Sequence, residues 1–409
     1  MEEKTRLAVG IDLGTNKLRA VTATLDHKGQ VRVMGYAEQN AEGMRRGKIK
    51  DLLAPAKVID TALKQNEEMS GIPVEAASVS INSPETLSIK VEGMVQVGAN
   101  GREVSEEDIA RLEQVAMAAR VPRNAEVLAL VPYEYILDGQ SGISDPLGMQ
   151  GARLEIRANV IAALKPDCDN IAKVCENAAV HLNALEPAAV AAARAVLSER
   201  QKENGVAVVN LGGSTTSLAV YDEGELQYAA TIPMGSNDIT RDLAIILMTI
   251  PEVAEEIKTR YASAKMEESG SEISVKQGRK ELKFSREDTS EVVAARLEDI
   301  FDKVRKHLKA SGYDRNLPEG IVLVGGGAKL KDIDEFAREQ LQLAVRIGRA
   351  QGFDAPSDDL FGPEYATAVG LMLGEVEAGK SGAENRKMKT QKANKKSSGF
   401  LKRFLAFFR

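Results

Sequence analysis

The chain has no tryptophan, two cysteines and three histidines in 409 residues, and its aromatics amount to only 4%. Each scarcity excludes something. Cys168 and Cys175 cannot build a disulfide framework, and their spacing is not a zinc pattern. They read as reduced structural thiols. His27, His181 and His307 are scattered, so no His/Cys metal site is expected. No apolar stretch approaches the roughly 18 residues of a spanning helix; the best, Leu243 to Ile250, covers eight. MEEKTRLAVG runs straight into an apolar strand, without the pattern of a secretory leader. What remains is an ordinary globular composition, 43% hydrophobic and 28% charged, long enough for two or three domains.

The net charge of −6 hides an asymmetry. From residue 380 onward ten Lys/Arg face one acid, Glu384, a balance of +9 that leaves −15 for residues 1–379. An acidic body with a basic tail points to an interaction tail. The last eleven residues, GFLKRFLAFFR, hold four of the nine Phe. At helical spacing Phe400, Leu401, Phe404, Leu405, Phe407 and Phe408 share one face, while Lys402, Arg403 and Arg409 take the other. That is the pattern of an interfacial membrane anchor. The aromatics are segregated from the basic residues rather than interleaved, which argues against a nucleic-acid tail. A helix this short is marginal in water, so it is expected to fold on binding, with about 1 kcal/mol from each basic residue near an anionic leaflet. Residues 377–398 have no apolar periodicity and read as a disordered basic linker with an r.m.s. span of roughly 25 Å.

The strongest positive signal is a strand-turn-strand written twice. Residues 8–21 read AVGIDLGTNKLRAV, and residues 207–220 read AVVNLGGSTTSLAV. Each has a strand-like apolar run, a polar Asp12 or Asn210, a Gly-Thr/Ser turn and a second β-rich run. Each then turns at Asp26 to Gly29 or Asp222 to Gly224 into a third strand (30–36 and 225–232). Glycine lets backbone approach a ligand closely, and successive N–H groups make a nest for anions. Two such turns face to face would hold a nucleotide triphosphate from both sides. Around them, helices and strands alternate as in an α/β protein. Residues 83–165 change character. Short strands (86–97, 126–137, 153–164) surround one helix from Ser105 to Arg120, which opens on a capping-box pattern. Further on, residues 263–282 read as loop or hairpin and about Ser290 to Lys309 as a long amphipathic helix.

Gly10-Ile11-Asp12-Leu13-Gly14-Thr15-Asn16-Lys17 resembles the first phosphate motif of the superfamily of actin, heat-shock chaperone ATPases and sugar kinases. Asn210-Leu211-Gly212-Gly213-Ser214-Thr215 resembles the second, and Val324-Gly325-Gly326-Gly327-Ala328 the adenosine motif. Glu186-Pro187-Ala188-Ala189-Val190-Ala191-Ala192 and Tyr365-Ala366-Thr367-Ala368-Val369-Gly370 are similar to the two connecting helices. Arg120-Val121-Pro122, Val131-Pro132-Tyr133-Glu134-Tyr135 and Asp145-Pro146-Leu147-Gly148-Met149-Gln150-Gly151 are similar to the insertion of the bacterial cell-division family FtsA. The resemblance covers essentially the whole chain.

It implies an α/β, actin-like fold: two similar halves around a nucleotide cleft, with an α+β insertion. The expected parts are a first half (1–82 and 166–200), the insertion (83–165), a second half (201–237 and 318–376), a further subdomain (238–317), the linker (377–398) and the amphipathic helix (399–409). It implies ATP and Mg²⁺ as ligands. Asp12 would hold Mg²⁺ through water, while Gly14, Thr15, Asn16 and Lys17 would meet the phosphates. Asn210, Gly212, Gly213, Ser214 and Thr215 would cradle them from the other side, and Gly325, Gly326 and Gly327 would let adenosine approach. Glu186 would position attacking water. The helix carrying Arg296, Lys303, Arg305 and Lys306 would receive the acidic tail of FtsZ. The other implied partners are copies of the chain itself, the anionic cytoplasmic face of the inner membrane at the septum and later division proteins; no nucleic acid is implied.

One departure matters. The family usually has Asp at Asn210 and a third Gly at Ser214. Asn keeps shape and hydrogen bonding but loses charge, and Ser adds a Cβ that limits positive φ. The expected function is therefore an ATP-binding, polymerising membrane tether with at most very slow hydrolysis. A pilus-type actin-like scaffold and a sugar-kinase-like phosphotransferase are the alternatives.

Overall fold

The doubled meander becomes two five-stranded sheets built to one plan. The computed structural model describes residues 7–26, 29–98, 101–266 and 270–379. In the first sheet the strand order is His181–Pro187, Ala76–Ile81, Ala8–Leu13, Lys17–Leu25, Val31–Asn40. In the second it is Glu225–Ile232, Thr216–Asp222, Val206–Leu211, Ile321–Val324, Val345–Ile347. Each central strand, Ala8–Leu13 or Val206–Leu211, pairs antiparallel with the next strand of its meander and parallel with a strand reached by a crossover. Strands buried on both faces read as near-continuous apolar runs, and all six residues of Val206–Leu211 are buried. In Ala8–Leu13 the one exception is Asp12. Asp12 and Asn210 occupy the same place, one residue before the end of the central strand.

The halves meet through two small-residue helices, Ala188–Val196 and residues 366–379. Contact there is backbone on backbone. A Cβ on Gly370 would stand 1.8 Å from the Ala191 carbonyl oxygen, so only glycine permits the crossing. The second of these helices continues through 377–379, which composition alone assigned to the linker. The rest of the linker and the amphipathic segment 399–409 lie outside the described residues.

The insertion is a four-stranded sheet ordered Gln140–Ile143, Ala125–Leu137, Arg153–Leu164, Leu87–Gln96, with helix Glu106–Arg120 on one face. Ser105 and Asp108 close the expected capping box. Asp108 is almost fully buried beneath Arg102 and Arg111. The hydrogen bond from Arg102 leads the effects that bring its carboxyl down to about 2.

The remaining subdomain combines helices Ser236–Ile246 and Pro251–Arg260, the hairpin Glu272–Gln277/Lys280–Ser285 and the long helix Arg286–Ser311. That helix starts earlier than its periodicity suggests, because Ser285 caps it through the Asp288 N–H. Val293, Leu297, Ile300, Phe301, Val304 and Leu308 form its buried face. No helix among the described residues is long and apolar enough to cross a membrane.

Candidate functional site

Between the halves lies a cleft of about 670 Å³. The first turn supplies Asp12, Gly14, Thr15, Asn16 and Lys17 to its wall; the second supplies Asn210, Gly212, Gly213 and Thr215. Gly325, Gly326 and Gly327, at the end of Ile321–Val324, close the far side. Motifs more than 100 residues apart in sequence thus line one cavity.

Asp12 sits on the floor. Its Oδ1 accepts a hydrogen bond from Ser80 Oγ at 2.8 Å, and Ser80 Oγ accepts one from the Leu13 N–H at 2.9 Å. Burial pushes the Asp12 carboxyl up, while Ser80 and the charge of Arg19 pull it partly back. Burial opposes ionisation of Glu38 too, but there Arg19 and Lys17 outweigh it and hold the carboxyl below its ordinary range. Arg19 pairs with Glu38 at 2.8 Å and Lys17 at 3.1 Å. Lys17 is therefore shared between the cleft and Glu38.

The second turn is neutral. Asn210 is buried, and its Nδ2 donates to Thr367 Oγ1 at 3.0 Å. Gly325 abuts it: φ is +85°, and a Cβ there would stand 2.3 Å from Asn210 Oδ1. The turn itself is fastened to helix Ser236–Ile246, with the Ser236 N–H on the Gly212 carbonyl at 2.9 Å and the Asn237 N–H on the Gly213 carbonyl at 2.7 Å. Ser214 does not line the cleft. Its hydroxyl accepts from Asn237 Nδ2 at 3.2 Å.

Sequence reasoning missed a polar cluster on the same cavity. Lys258 is buried, and its Nζ donates to Glu255 Oε2 at 2.6 Å, Thr240 Oγ1 at 2.8 Å and the Ser236 carbonyl at 3.3 Å. Burial lowers its pKa, with Glu255 acting against that. Across from it Lys329 pairs with Glu364 at 2.6 Å. A Glu and a Lys three apart on a helix are common, so nothing local marks Glu255 and Lys258.

Two other expectations fall elsewhere. Glu186 is outside the cleft wall, with its carboxylate on Arg194 at 3.0 Å. Arg194 also bonds the Gly370 carbonyl at 3.0 Å, which ties Glu186 to the crossing of the two helices. Of the four basic residues on the long helix, Arg296 is held by Asp242 at 2.6 Å and Arg305 by Asp302 at 2.5 Å. Lys303 and Lys306 are exposed.

Comparison with known proteins decides the family. Residues 207–370 match the model of cell division protein FtsA, and residues 85–162 match the SHS2 domain inserted in FtsA. The FtsA of Pseudomonas aeruginosa is 33% identical over 372 residues, 90% of this chain and 89% of that protein. The chain belongs to the FtsA family of cell-division proteins. The FtsA of Bacillus subtilis is 30% identical over 90% of this chain and 82% of its own, and that of Escherichia coli K12 is 30% identical over 90% of each. Among solved structures, a PilM–PilN type IV pilus biogenesis complex superposes with a TM-score of 0.66 at 17% identity, covering 90% of this chain and 98% of that one. MreB5 of Spiroplasma citri bound to ADP gives 0.52 at 18%, covering 93% and 99%. These likenesses show the actin-like fold.

The lining residues could hold a nucleotide. Burial disfavours the Asp12 anion even with Arg19 beside it, so a further cation there would be favoured. A Cβ on Gly326 would meet nothing within 4 Å, so its backbone is open, whereas one on Gly14, Gly212, Gly213, Gly325 or Gly327 would strike the protein's own atoms.

Proposed function

We propose that this FtsA-family protein binds Mg-ATP in the cleft, assembles with copies of itself and tethers FtsZ to the cytoplasmic face of the membrane at the septum. The observation that carries the reading is the pair of glycine turns facing each other across one cavity, with the Asp12 carboxylate between them. Bound nucleotide would supply phosphate charge and a metal ion. The chain supplies Asp12 to orient that metal through water, Lys17 as a point charge, and the backbone of both turns as a neutral cradle. Glu255 and Lys258 suit ribose hydroxyls, and residues 325–327 suit the adenosine. Hydrolysis is slow in this reading, because Asn210 brings no charge to the second turn and Glu186 is engaged by Arg194. Nucleotide then acts as a switch, and the work is done at the membrane end.

Residues 399–409 are the anchor in this proposal. Single tails bind reversibly, and tails joined by assembly gain avidity without new contacts. The acidic tail of FtsZ would meet the subdomain of helix Arg286–Ser311. Exposed Lys303 and Lys306 offer charge there, and Ile245, Ile246, Met248 and Ile250 form an exposed apolar lip. The test is co-sedimentation with anionic liposomes and FtsZ, with and without ATP. The full chain should pellet and carry FtsZ with it. A chain ending at 398 should stay in the supernatant while still binding nucleotide. If the truncated chain pellets fully, the anchor assignment is wrong.

A further inference from the structure

Two asparagines join the halves at the rim of the cleft. Asn16 Nδ2 donates to Asn237 Oδ1, and Asn237 Nδ2 donates to Asn16 Oδ1, both at 2.6 Å. The two residues are 221 positions apart. Asn16 belongs to the first turn. Asn237 lies in the first turn of helix Ser236–Ile246, but it and its neighbour Ser236 are bonded to the second glycine turn three ways. Its N–H is on the Gly213 carbonyl, its Nδ2 is on Ser214 Oγ, and its neighbour Ser236 is on the Gly212 carbonyl. Gly213 lies directly beneath Asn16, where a Cβ would stand 2.7 Å from the Asn16 amide carbon. Asn237 thus moves with the second turn and grips the first.

We propose that Asn16 and Asn237 form a latch over the phosphate end of the cleft, oriented by Ser214, that sets how fast nucleotide leaves. The proposal rests on the nucleotide reading above. It gives the Ser214 hydroxyl a role. Glycine would hold the turn but offer no hydroxyl to fix the second N–H of Asn237. Every partner in the latch is neutral, so it closes without a ligand. It depends less on salt than the Lys17–Glu38 pair, since it holds no exposed charges for ions to screen. Two neutral hydrogen bonds contribute modestly, enough to change a release rate by about tenfold.

The experiment uses the full chain, with Asn16→Ala, Asn237→Ala, the double variant and Ser214→Gly. Release of a fluorescent ATP analogue is chased with unlabelled ATP. Hydrogen exchange is measured on the nucleotide-free protein over residues 13–17 and 235–240. Each single alanine should speed release about tenfold, the double variant should be no faster than either single, and Ser214→Gly should speed it about threefold. Exchange should rise on the side of the cleft opposite each substitution. Asn237 lines the neighbouring groove rather than the cleft, so a mere phosphate contact predicts that only Asn16→Ala has an effect. That result, effects that multiply in the double variant, or exchange confined to the substituted side would each overturn the latch. If the wild-type chain binds no nucleotide, cross-cleft exchange alone decides the latch, and it is the nucleotide reading that fails.

Discussion

The two glycine turns share a backbone plan and differ in electrostatics. The first is set among ions: Asp12 on the floor, Arg19 beside it, and Lys17 and Arg19 converging on Glu38. The second, from Asn210 to Thr215, has no ionisable side chain. At the shared strand position Asp12 is half-buried and disfavoured as an anion, whereas Asn210 is buried and satisfied by Thr367. A gene-duplication-like repeat therefore does not mean duplicated chemistry. One turn carries charge, and the other provides shape.

The largest break in that asymmetry is Asp12→Asn, which makes both turns neutral. Mg-dependent ATP binding should weaken roughly a hundredfold or more, the scale of removing one partner from a desolvated charge pair. The nucleotide-free protein should melt higher, not lower, because the substitution removes a carboxylate that burial disfavours. Titration calorimetry and thermal melts check the two halves of this expectation. Retained affinity would mean that the first turn is not the charged side of the site.

The converse is Asn210→Asp, which gives the second turn a charge. Single-turnover hydrolysis should rise by at least about tenfold if that charge can orient water. Thr367 can turn its hydroxyl from the Ala188 carbonyl, 3.4 Å away, to donate to the new carboxylate, so the fold should tolerate the change. A wild-type rate above that of the variant would sink the switch reading. Gly326→Ala probes the base end alone. A Cβ there meets nothing within 4 Å, so the fold should be untouched while ATP affinity falls several-fold, in keeping with backbone that approaches a ligand closely. Equilibrium binding beside a urea melt separates the two.

How much of this was legible follows the range of each interaction. Apolar runs ending in Gly-rich turns are local, so both meanders, the third glycine turn and the Ser105 cap could be read directly. The insertion also stood out, because short alternating strands replaced the helix-strand rhythm. Lys258 and Asn237 could not be read, since their roles arise from partners brought together by folding. Lys258 is an unremarkable helical lysine until Thr240 and Ser236 close over it. Asn237 looks like a residue before a helix until Asn16 arrives from the other half. Glu186 shows the same limit: its motif position suggests the cleft, while Arg194, eight residues later, holds its side chain.

The smallest effect is a difference in pH dependence between the turns. The folded-state pKa of Asp12 lies above its unfolded value because of burial. Between those values the folded chain binds more protons than the unfolded one. Ionised Asp12 therefore costs stability at neutral pH, and that cost disappears as pH falls through the folded pKa. The melting advantage of Asp12→Asn over wild type should be greatest near pH 7 and shrink towards pH 4. Glu38, which lies nearby, is held below its ordinary range by Arg19 and Lys17. Asn210 carries no such cost. Asn210→Asp should acquire one of the same sign, because the site is buried, so its deficit against wild type should also shrink on acidification. Melts of the three proteins from pH 4 to pH 7.5, without nucleotide, measure this. Parallel curves for wild type and Asp12→Asn would show that Asp12 is solvated in the open cleft and that the two turns differ less than their burial implies.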